Sequence, residues 1–186
     1  MLICIDDIKD QGLSIEFEEK PGNFPILENI AKVGEIYFPA ALRFRVRAIR
    51  IQEIVEVEGR FDASVRLTCS RCLKQFETPL GANFVITYTR KKPEVTTASG
   101  GDDIEISAEE AGLIMFSGRK IDLRDALQEQ VVMSIPMQPI CVEGCRGLCS
   151  RCGADLNAGD CDCRQEAFNI KFAALKNVKL EKNNKI

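Results

Sequence analysis

The sequence predicts an α+β protein: an antiparallel β-sheet from the N-terminal half, a helix packed on it, and a C-terminal cysteine-rich zinc-binding module. Three observations support this prediction. Apolar and polar residues alternate through the first half, and apolar residues recur every four positions near residue 130. In addition, eight of the nine cysteines form four close pairs.

The N-terminal half has the two-residue period of β-strands. Residues 42–48 place three apolar side chains on one face and three arginines on the other, and residues 55–68 alternate over a longer span. Two such segments close in sequence predict antiparallel neighbours with one solvent-exposed face. Further candidate strands are residues 76–88, 2–5 and 13–17. We expect an antiparallel β domain over residues 1–90.

The composition changes after residue 90. Residues 91–103 are charged, small and glycine-containing, which predicts a flexible linker. Residues 104–140 are predicted as a helical segment that packs on the sheet, with a short first turn opened by a capping box at 107–110. In its main helix, N-capped by Asp122, the apolar stripe is Leu123, Leu127, Val131 and Ile135, and Pro136 ends it. The zinc module is predicted over 141–168, and a short C-terminal helix with a frayed tail over 169–186.

The composition also limits the chemistry available to the chain. Lys and Arg number 25 and Asp and Glu number 28, so the formal net charge is −3 and a histone-like polycation is excluded. There is no histidine, which excludes Ser-His-Asp and Cys-His catalysis and metal sites that need imidazole. No P-loop or GxGxxG motif occurs. We therefore expect a protein that is not an enzyme and has no small-molecule substrate.

This sequence predicts neither secretion nor membrane insertion. Asp6 and Asp7 end the first apolar run before it reaches the roughly 7–15 residues of a signal peptide. Other apolar runs are far shorter than the ~20 residues of a spanning helix. We expect a cytoplasmic protein with no membrane contact. Because disulfides do not persist in a reducing cytoplasm, close cysteines are expected to bind metal or do redox work.

The four cysteine pairs have the spacing of metal ligands. A gap of two residues lets both sulfur atoms reach one ion across a tight turn, and Gly153 supplies the backbone freedom that such a turn needs. The pairs are CSRC at Cys69 and Cys72, CVEGC at Cys141 and Cys145, a second CSRC at Cys149 and Cys152, and CDC at Cys161 and Cys163.

If each pair stays together, the four pairs form two Cys4 sites in only three ways. We favour a local set that consists of Cys149, Cys152, Cys161 and Cys163. The remaining long-range set consists of Cys69, Cys72, Cys141 and Cys145, and it closes over 141 − 72 = 69 residues. Closing such a loop costs about 4 kcal/mol, whereas a structural zinc ion supplies roughly 10–16 kcal/mol. The other two partitions stay open.

Zinc is the expected metal, with two ions per chain, because four thiolates in closed pairs are typical of structural tetrahedral sites. The spacing does not exclude an iron–sulfur cluster. A Cys4–zinc site has a formal charge of −2, which Arg71, Arg146 and Arg151 could offset because they adjoin the ligands. The alternative is that these three arginines are ordinary solvated loop residues.

A redox dithiol is the competing interpretation of the first CSRC motif. A thioredoxin-like pair opens a helix, whose N-terminus lowers the pKa of the first thiol. Cys69 and Cys72 instead lead into another predicted strand. The ninth cysteine, Cys4, lies between Ile3 and Ile5 and is expected to be a small buried hydrophobic side chain.

Five arginines are candidates for a nucleic-acid contact: Arg43, Arg45, Arg47, Arg71 and Arg151. The first three share one face of a predicted strand, where they could contact phosphates. The alternative is that they pair with Glu56 and Glu58 on the next strand. Aromatic residues make up only 6% of the chain, and no aromatic run suited to base stacking occurs.

Several motifs together resemble a known family. CSRCL at 69–73 follows a strand, the helix ends in IPMQP at 135–139, and C-x3-C-x-GLC-x2-CG-x2-LN-x3-C-x-C spans 141–163. This combination is similar to the YceD family, the large ribosomal RNA subunit accumulation proteins, over residues 55–175. Relatives usually carry Asp-Pro-Arg where this chain has Asn-Ile-Lys at 169–171.

The resemblance implies a role in ribosome assembly in the bacterial cytoplasm. We hypothesise a non-enzymatic, zinc-binding factor in ribosome biogenesis that promotes accumulation of large-subunit ribosomal RNA. Its partners would be that RNA, ribosomal proteins, or both. Two alternatives stay open: a cytoplasmic thiol-redox protein that uses Cys69 and Cys72, and a zinc-containing protein-interaction scaffold.

Overall fold

The computed structural model describes residues 1–34, 36–90 and 112–163. Four sequence predictions lie outside these residues: the linker at 91–103, the capping box at 107–110, the last part of the zinc module at 164–168, and the helix and tail at 169–186.

The described residues form short and long strands together with two α-helices, which confirms the α+β class. The strands are β1 (Leu2–Cys4), β2 (Leu13–Glu19), β3 (Ile36–Tyr37), β4 (Leu42–Ile51), β5 (Ile54–Thr68), β6 (Gln75–Thr89), β7 (Leu113–Met115) and β8 (Lys120–Asp122). The helices are α1 (Pro25–Val33) and α2 (Arg124–Ser134), and 3₁₀ turns lie at Ile5–Asp7 and Pro21–Asn23.

The main sheet has the strand order β2-β4-β5-β6-β7, and β3 pairs with a separate part of β5. These pairings are antiparallel, as predicted, except that β7 lies parallel to β6. The predicted strand at 2–5 joins a different sheet, because β1 pairs with β8. The segment predicted as helical therefore contains two short strands, β7 and β8, before its helix begins.

The longest feature is the β5–β6 hairpin, which positions the first CSRC motif. The two strands have 15 residues each and pair over their whole length, from Ile54 opposite Thr89 to Thr68 opposite Gln75. Residues 69–74 make the connecting turn. Cys69 and Cys72 therefore lie at the tip of a rigid two-stranded element.

The core lies between one face of the sheet and the helices. The Phe44 ring centroid is 5.2 Å from that of Phe17 and 6.1 Å from that of Phe61. From α2, Leu127 and Val131 are fully buried on the sheet side. Burying a side chain of this size stabilises the fold by about 1.5–3 kcal/mol. The alternation noted in the sequence thus separates a buried apolar face from an exposed charged one.

The two helices differ from the sequence prediction in different ways. Helix α1 was not predicted, although Pro25 occupies its first position and Gly34 ends it at φ 86°. Helix α2 begins at Arg124 rather than after Asp122. Asp122 belongs to β8, where it pairs with Leu2, and its Oδ1 accepts a hydrogen bond from Arg124 N at 3.0 Å.

The expectation for Cys4 was also wrong. Ile3 and Ile5 are buried, and the alternation of the strand turns Cys4 away from the core, so its side chain is only half-buried. Its Sγ lies 3.7 Å from Asp6 Oδ2. Within residues 1–34, 36–90 and 112–163, no helix has the length and apolar character needed to cross a membrane.

Candidate metal centres

The turn at the tip of the β5–β6 hairpin presents the first two sulfur atoms of the long-range set. Cys69 N donates to Lys74 O and Leu73 N donates to Cys69 O, each at 2.9 Å, so the backbone closes tightly around the two cysteines. Arg71 N lies 3.4 Å from Cys69 Sγ and donates to it. Leu73 adopts φ 58°, a left-handed conformation that is costly for leucine.

The second CSRC motif folds into the same turn. Cys149 N donates to Ala154 O at 2.8 Å, and Gly153 N donates to Cys149 O at 2.9 Å. Gly153, at φ 73°, occupies the position that Leu73 holds in the first turn. Identical tetrapeptides thus give one backbone geometry at both places, with Cys149 and Cys152 presented to the local set.

The segment after α2 brings Cys141 and Cys145 to the hairpin tip. Pro139 O accepts hydrogen bonds from Ser70 N at 2.8 Å and from Ser70 Oγ at 2.7 Å. Cys69 Sγ then lies 3.8 Å from Cys145 Sγ, and Cys72 Sγ lies 3.7 Å from Cys141 Sγ. All four sulfur atoms of the long-range set are within 4.8 Å of one another.

These separations fit a shared metal ion. A regular tetrahedron with metal–sulfur bonds of ~2.3 Å has sulfur–sulfur edges of ~3.8 Å, whereas a disulfide holds its sulfur atoms at ~2.05 Å. The four sulfur atoms of the local set also lie within 4.8 Å of one another. The structure therefore contains two Cys4 groups that could each hold a metal ion, grouped in the partition that the spacing favours. Metal binding by these eight cysteines stays a prediction.

The two groups differ in burial. In the long-range set, Cys69, Cys72 and Cys145 are buried and Cys141 is half-buried, with Phe76 and Leu148 packed against them. In the local set, only Cys149 is buried, whereas Cys161 and Cys163 are half-buried and Cys152 is exposed. The long-range set is thus enclosed and the local set open to solvent on one side.

Backbone amides lower the pKa of one thiol in each set. The Cys72 amide donates to the Cys69 sulfur and lowers the pKa of that thiol to about 6. The amides of Cys152 and Arg151 likewise lower the pKa of Cys149 to about 6. Burial raises the pKa of Cys141 to about 12. Each set therefore offers a thiolate near neutral pH, and thiols that stay protonated must release their protons when metal binds.

Basic side chains beside the cysteines make specific contacts. The Arg71 guanidinium donates to Cys145 O at 2.9 Å, so it holds the 141–145 segment against the hairpin turn. Arg146 pairs with Asp160 in the local set's loop. Arg151 is exposed at the second turn. The guanidinium of Arg71, one of the candidate RNA-binding residues, thus contacts the backbone of the long-range set.

The two sets are in direct contact. Leu148 N donates to Arg71 O at 3.0 Å, and Lys74 Nζ lies 2.5 Å from Asp155 Oδ2. Gly147, at φ 76°, passes so close that a Cβ there would lie 2.9 Å from Arg71 O.

A side-chain amide of the local loop also reaches the long-range set: Asn157 Nδ2 lies 3.5 Å from Cys145 Sγ. Sequence reasoning missed Asn157 as a site residue, although the Leu-Asn element that contains it was part of the family resemblance.

The candidate RNA-binding arginines of the strand face lie against carboxylates. Arg43 pairs with Glu18 at 2.8 Å and Arg45 with Asp62 at 2.7 Å. Arg47 lies 3.6 Å from Glu58, which is one of the two predicted partners, whereas the other, Glu56, is opposite Ile49. The exposed face of the sheet is therefore a mixed-charge surface rather than a uniformly basic one.

The redox candidates Cys69 and Cys72 do not have the surroundings of a thioredoxin-like pair. They lie in a hairpin turn between two strands and not at a helix N-terminus. Their side chains are buried, with 0% and 4% of their surface exposed, and two further thiols face them. A substrate disulfide would have little access to either sulfur atom.

Comparisons with known proteins identify relatives of the chain. The family model described as "Large ribosomal RNA subunit accumulation protein YceD" matches residues 57–179. A chloroplastic large ribosomal RNA subunit accumulation protein YCED homolog 1 of Arabidopsis thaliana is 25% identical over 72% of this chain and 47% of the plant protein. The homolog of the same name in Zea mays is 23% identical over 59% of this chain and 44% of the maize protein.

An uncharacterized protein of Mycobacterium tuberculosis is 27% identical over 73% of this chain and 61% of the mycobacterial protein. The chain thus spans about half to three fifths of the length of the curated relatives it matches. No solved structure matches the chain significantly. All eight paired cysteines lie within the residues that the family model covers.

Proposed function

This chain belongs to the YceD family of large ribosomal RNA subunit accumulation proteins, and from that premise we propose that it is a non-enzymatic, zinc-binding factor in ribosome biogenesis. It holds one zinc ion in each cysteine set and promotes accumulation of large-subunit ribosomal RNA in the cytoplasm. It does so by binding that RNA or a ribosomal protein. The observation that carries the proposal is the pair of four-sulfur groups inside the residues that the family model matches.

The sulfur–sulfur separations support a single ion at each site. A four-iron cluster is larger than one ion and would hold its cysteine sulfur atoms further apart than the 3.7–3.8 Å of two pairs in the long-range set, or the 4.8 Å within which the sulfur atoms of each set lie. Four thiolates around a closed tetrahedral position are the donor set of structural zinc. A zinc ion in the long-range set would join the hairpin tip to the segment that follows α2. Its role is therefore to fix residues 136–163 against the sheet.

Metal analysis of purified protein tests the cofactor directly. We expect two equivalents of zinc per chain, and about one equivalent in the double variant Cys69→Ser/Cys72→Ser, because two ligands do not hold a structural ion firmly. The matched control is Cys4→Ser, which removes a thiol outside both sets and keeps two equivalents. Iron in place of zinc, or metal-free folded protein, would contradict this part of the proposal.

The cellular role is tested by the ratio of mature large-subunit to small-subunit ribosomal RNA. Cells in which the Cys69→Ser/Cys72→Ser variant replaces the wild-type chain should show a lowered ratio, and cells with Cys4→Ser a normal one. If both variants give a normal ratio at equal protein levels, the long-range set is not needed for RNA accumulation.

Charge neutralisation distinguishes the two classes of partner. On the exposed sheet face, phosphates would compete with Glu18, Asp62 and Glu58 for the three arginines. If RNA binds there, Arg43→Gln/Arg45→Gln/Arg47→Gln lowers retention of ribosomal RNA by the purified protein. The matched control, Glu16→Gln/Glu18→Gln/Glu58→Gln, raises it on the same face. Unchanged retention in both variants would exclude this face as the RNA contact, and no retention by the wild-type protein would leave a ribosomal protein as the partner.

A further inference from the structure

We propose that Asn157 is a positioning residue through which the local set strengthens metal binding by the long-range set. The inference rests on the proposed function, since it requires both sets to bind metal. It goes further because it assigns a role to a residue that holds no metal and predicts that the two sites fill cooperatively.

The hydrogen bonds of Asn157 fix the orientation of its side-chain amide. Its Oδ1 accepts from Arg146 N at 2.8 Å, which a nitrogen in that position could not do. Its Nδ2 is therefore the atom that faces Cys145 Sγ at 3.5 Å and Asp155 Oδ1 at 2.8 Å. Both amide hydrogens thus have acceptors, and one of the acceptors is a sulfur atom of the long-range set.

A hydrogen bond to a metal-bound thiolate stabilises its negative charge. A tetrahedral zinc site with four thiolates has a net charge of −2, so donors around the sulfur atoms favour the loaded state. Cys145 is buried, with 2% of its surface exposed, so water cannot easily replace the donor. The amide of Asn157 therefore donates to a thiolate sulfur that is shielded from water, where a hydrogen bond stabilises the negative charge most.

Asn157 comes from the loop of the local set. It lies between Cys152 and Cys161, so the position of its amide depends on the closure of that loop. Its backbone N also donates to Asp155 Oδ1 at 2.9 Å, and Asp155 Oδ2 lies 2.5 Å from Lys74 Nζ at the hairpin turn. The Lys74 ammonium group beside it lowers the pKa of Asp155 to about 2, so this carboxylate is charged at neutral pH.

The local loop therefore reaches both halves of the long-range set. Through Asp155 it contacts the turn that carries Cys69 and Cys72, and through Asn157 it contacts the segment that carries Cys141 and Cys145. A metal ion in the local set orders the loop and so places both contacts. By linkage, an ion in the long-range set must raise the affinity of the local set by the same factor.

Cobalt(II) titration of the full chain measures the effect, because sulfur-to-cobalt charge-transfer absorption reports thiolate coordination. Asn157→Asp keeps the side-chain shape and the acceptor for Arg146 N, but replaces the nitrogen that donates to Cys145 and to Asp155 by a carboxylate oxygen. We expect the cobalt affinity of the long-range set to fall about 10- to 100-fold, with a shifted charge-transfer band. Asn83→Asp, the same change at an exposed strand position, is the matched control and should alter neither property.

A double-mutant cycle tests the coupling itself. Cys152→Ser/Cys163→Ser disables the local set and should also weaken the long-range set, with the sheet checked by circular dichroism. Adding Asn157→Asp to that variant should then have little further effect, because the amide is no longer placed. A full additional loss, or no loss from Asn157→Asp alone, would overturn the inference. Failure of both sets to bind cobalt in the wild-type chain would instead contradict the proposed function.

Discussion

The two cysteine sets begin with the same four residues and the same backbone turn, but they occupy different surroundings. The first turn lies at the tip of a 15-residue hairpin and meets a segment that is distant in sequence. The second turn lies in a local loop and is completed within 163 − 149 = 14 residues. Three cysteines are buried in the long-range set, compared with one in the local set.

This difference shows that identical motifs can serve different structural purposes. A metal ion in the long-range set would stabilise tertiary structure, because it would join elements that no covalent link connects within the described residues. An ion in the local set would instead order a loop whose backbone and side chains contact the hairpin turn of the long-range set. We therefore expect the loss of the long-range set to destabilise the whole fold. The loss of the local set should unfold mainly residues 146–163, while it weakens metal binding by the long-range set.

The largest effect is expected when one ligand of the long-range set is removed. Cys69→Ser leaves a buried long-range set without a complete ligand shell, and we expect the metal-loaded protein to lose about 4 kcal/mol or more of unfolding free energy. Cys152→Ser, at an exposed position, should lose much less. Guanidinium unfolding followed by circular dichroism measures both, with Cys4→Ser as the control. Equal losses from Cys69→Ser and Cys152→Ser would show that the sets do not differ in this way.

A smaller effect is expected at the contact between the sets. Gly147→Ala places a methyl group 2.9 Å from Arg71 O at a position where φ is 76°, so the two segments must separate and the alanine is strained. We expect a loss of about 2 kcal/mol in unfolding free energy and faster metal release from the long-range set to a chelator.

Gly144→Ala is the matched control for this substitution. It lies in the same loop, its φ is not positive, and no atom lies within 4 Å of the added methyl group. If Gly144→Ala and Gly147→Ala release metal at the same rate, the close approach at Arg71 O does not hold the sets together.

The sequence predicted the elements whose pattern is local. Alternation located the ends of β5 and β6 within one residue and those of β4 within three residues, and the apolar stripe located most of α2. Helix α1 was missed because its nine residues are too short for a clear period, although Pro25 and Gly34 mark its ends. The pairing of β7 with β6 was missed because three apolar residues do not reveal a parallel partner.

The candidate site was predictable to a similar extent. Close spacing identified the four cysteine pairs and favoured the observed grouping, and loop-closure energetics allowed its long-range set. The contacts between the sets could not be predicted, because Lys74, Asp155 and Asn157 meet only after the hairpin and the loop have folded. The sequence predicted that the strand arginines form ion pairs, but it named the wrong partner for two of the three. Arg43 and Arg45 pair with Glu18 and Asp62 rather than with Glu56 or Glu58.

The smallest effect is expected at the residue that follows each CSRC motif. Leu73 and Gly153 share a left-handed conformation, at φ 58° and φ 73°, but only Gly153 adopts it without strain. Leu73→Gly should stabilise the long-range turn by about 0.5–1 kcal/mol, because the relief of strain exceeds the entropy cost of glycine. The side chain of Leu73 is 63% exposed, so little packing is lost.

The reciprocal change, Gly153→Leu, should destabilise the local turn by about 1–2 kcal/mol. Nothing lies within 4 Å of an added Cβ at Gly153, so the Cβ has room and the expected loss comes from the left-handed backbone conformation. Guanidinium unfolding measures the first variant, and amide hydrogen exchange at residues 149–154 measures the second. Changes of the same sign in the two variants would mean that backbone conformation does not govern the turns. Leucine at position 73 would then be retained for its exposed side chain, beside the enclosed cysteines, rather than tolerated at a cost in backbone energy.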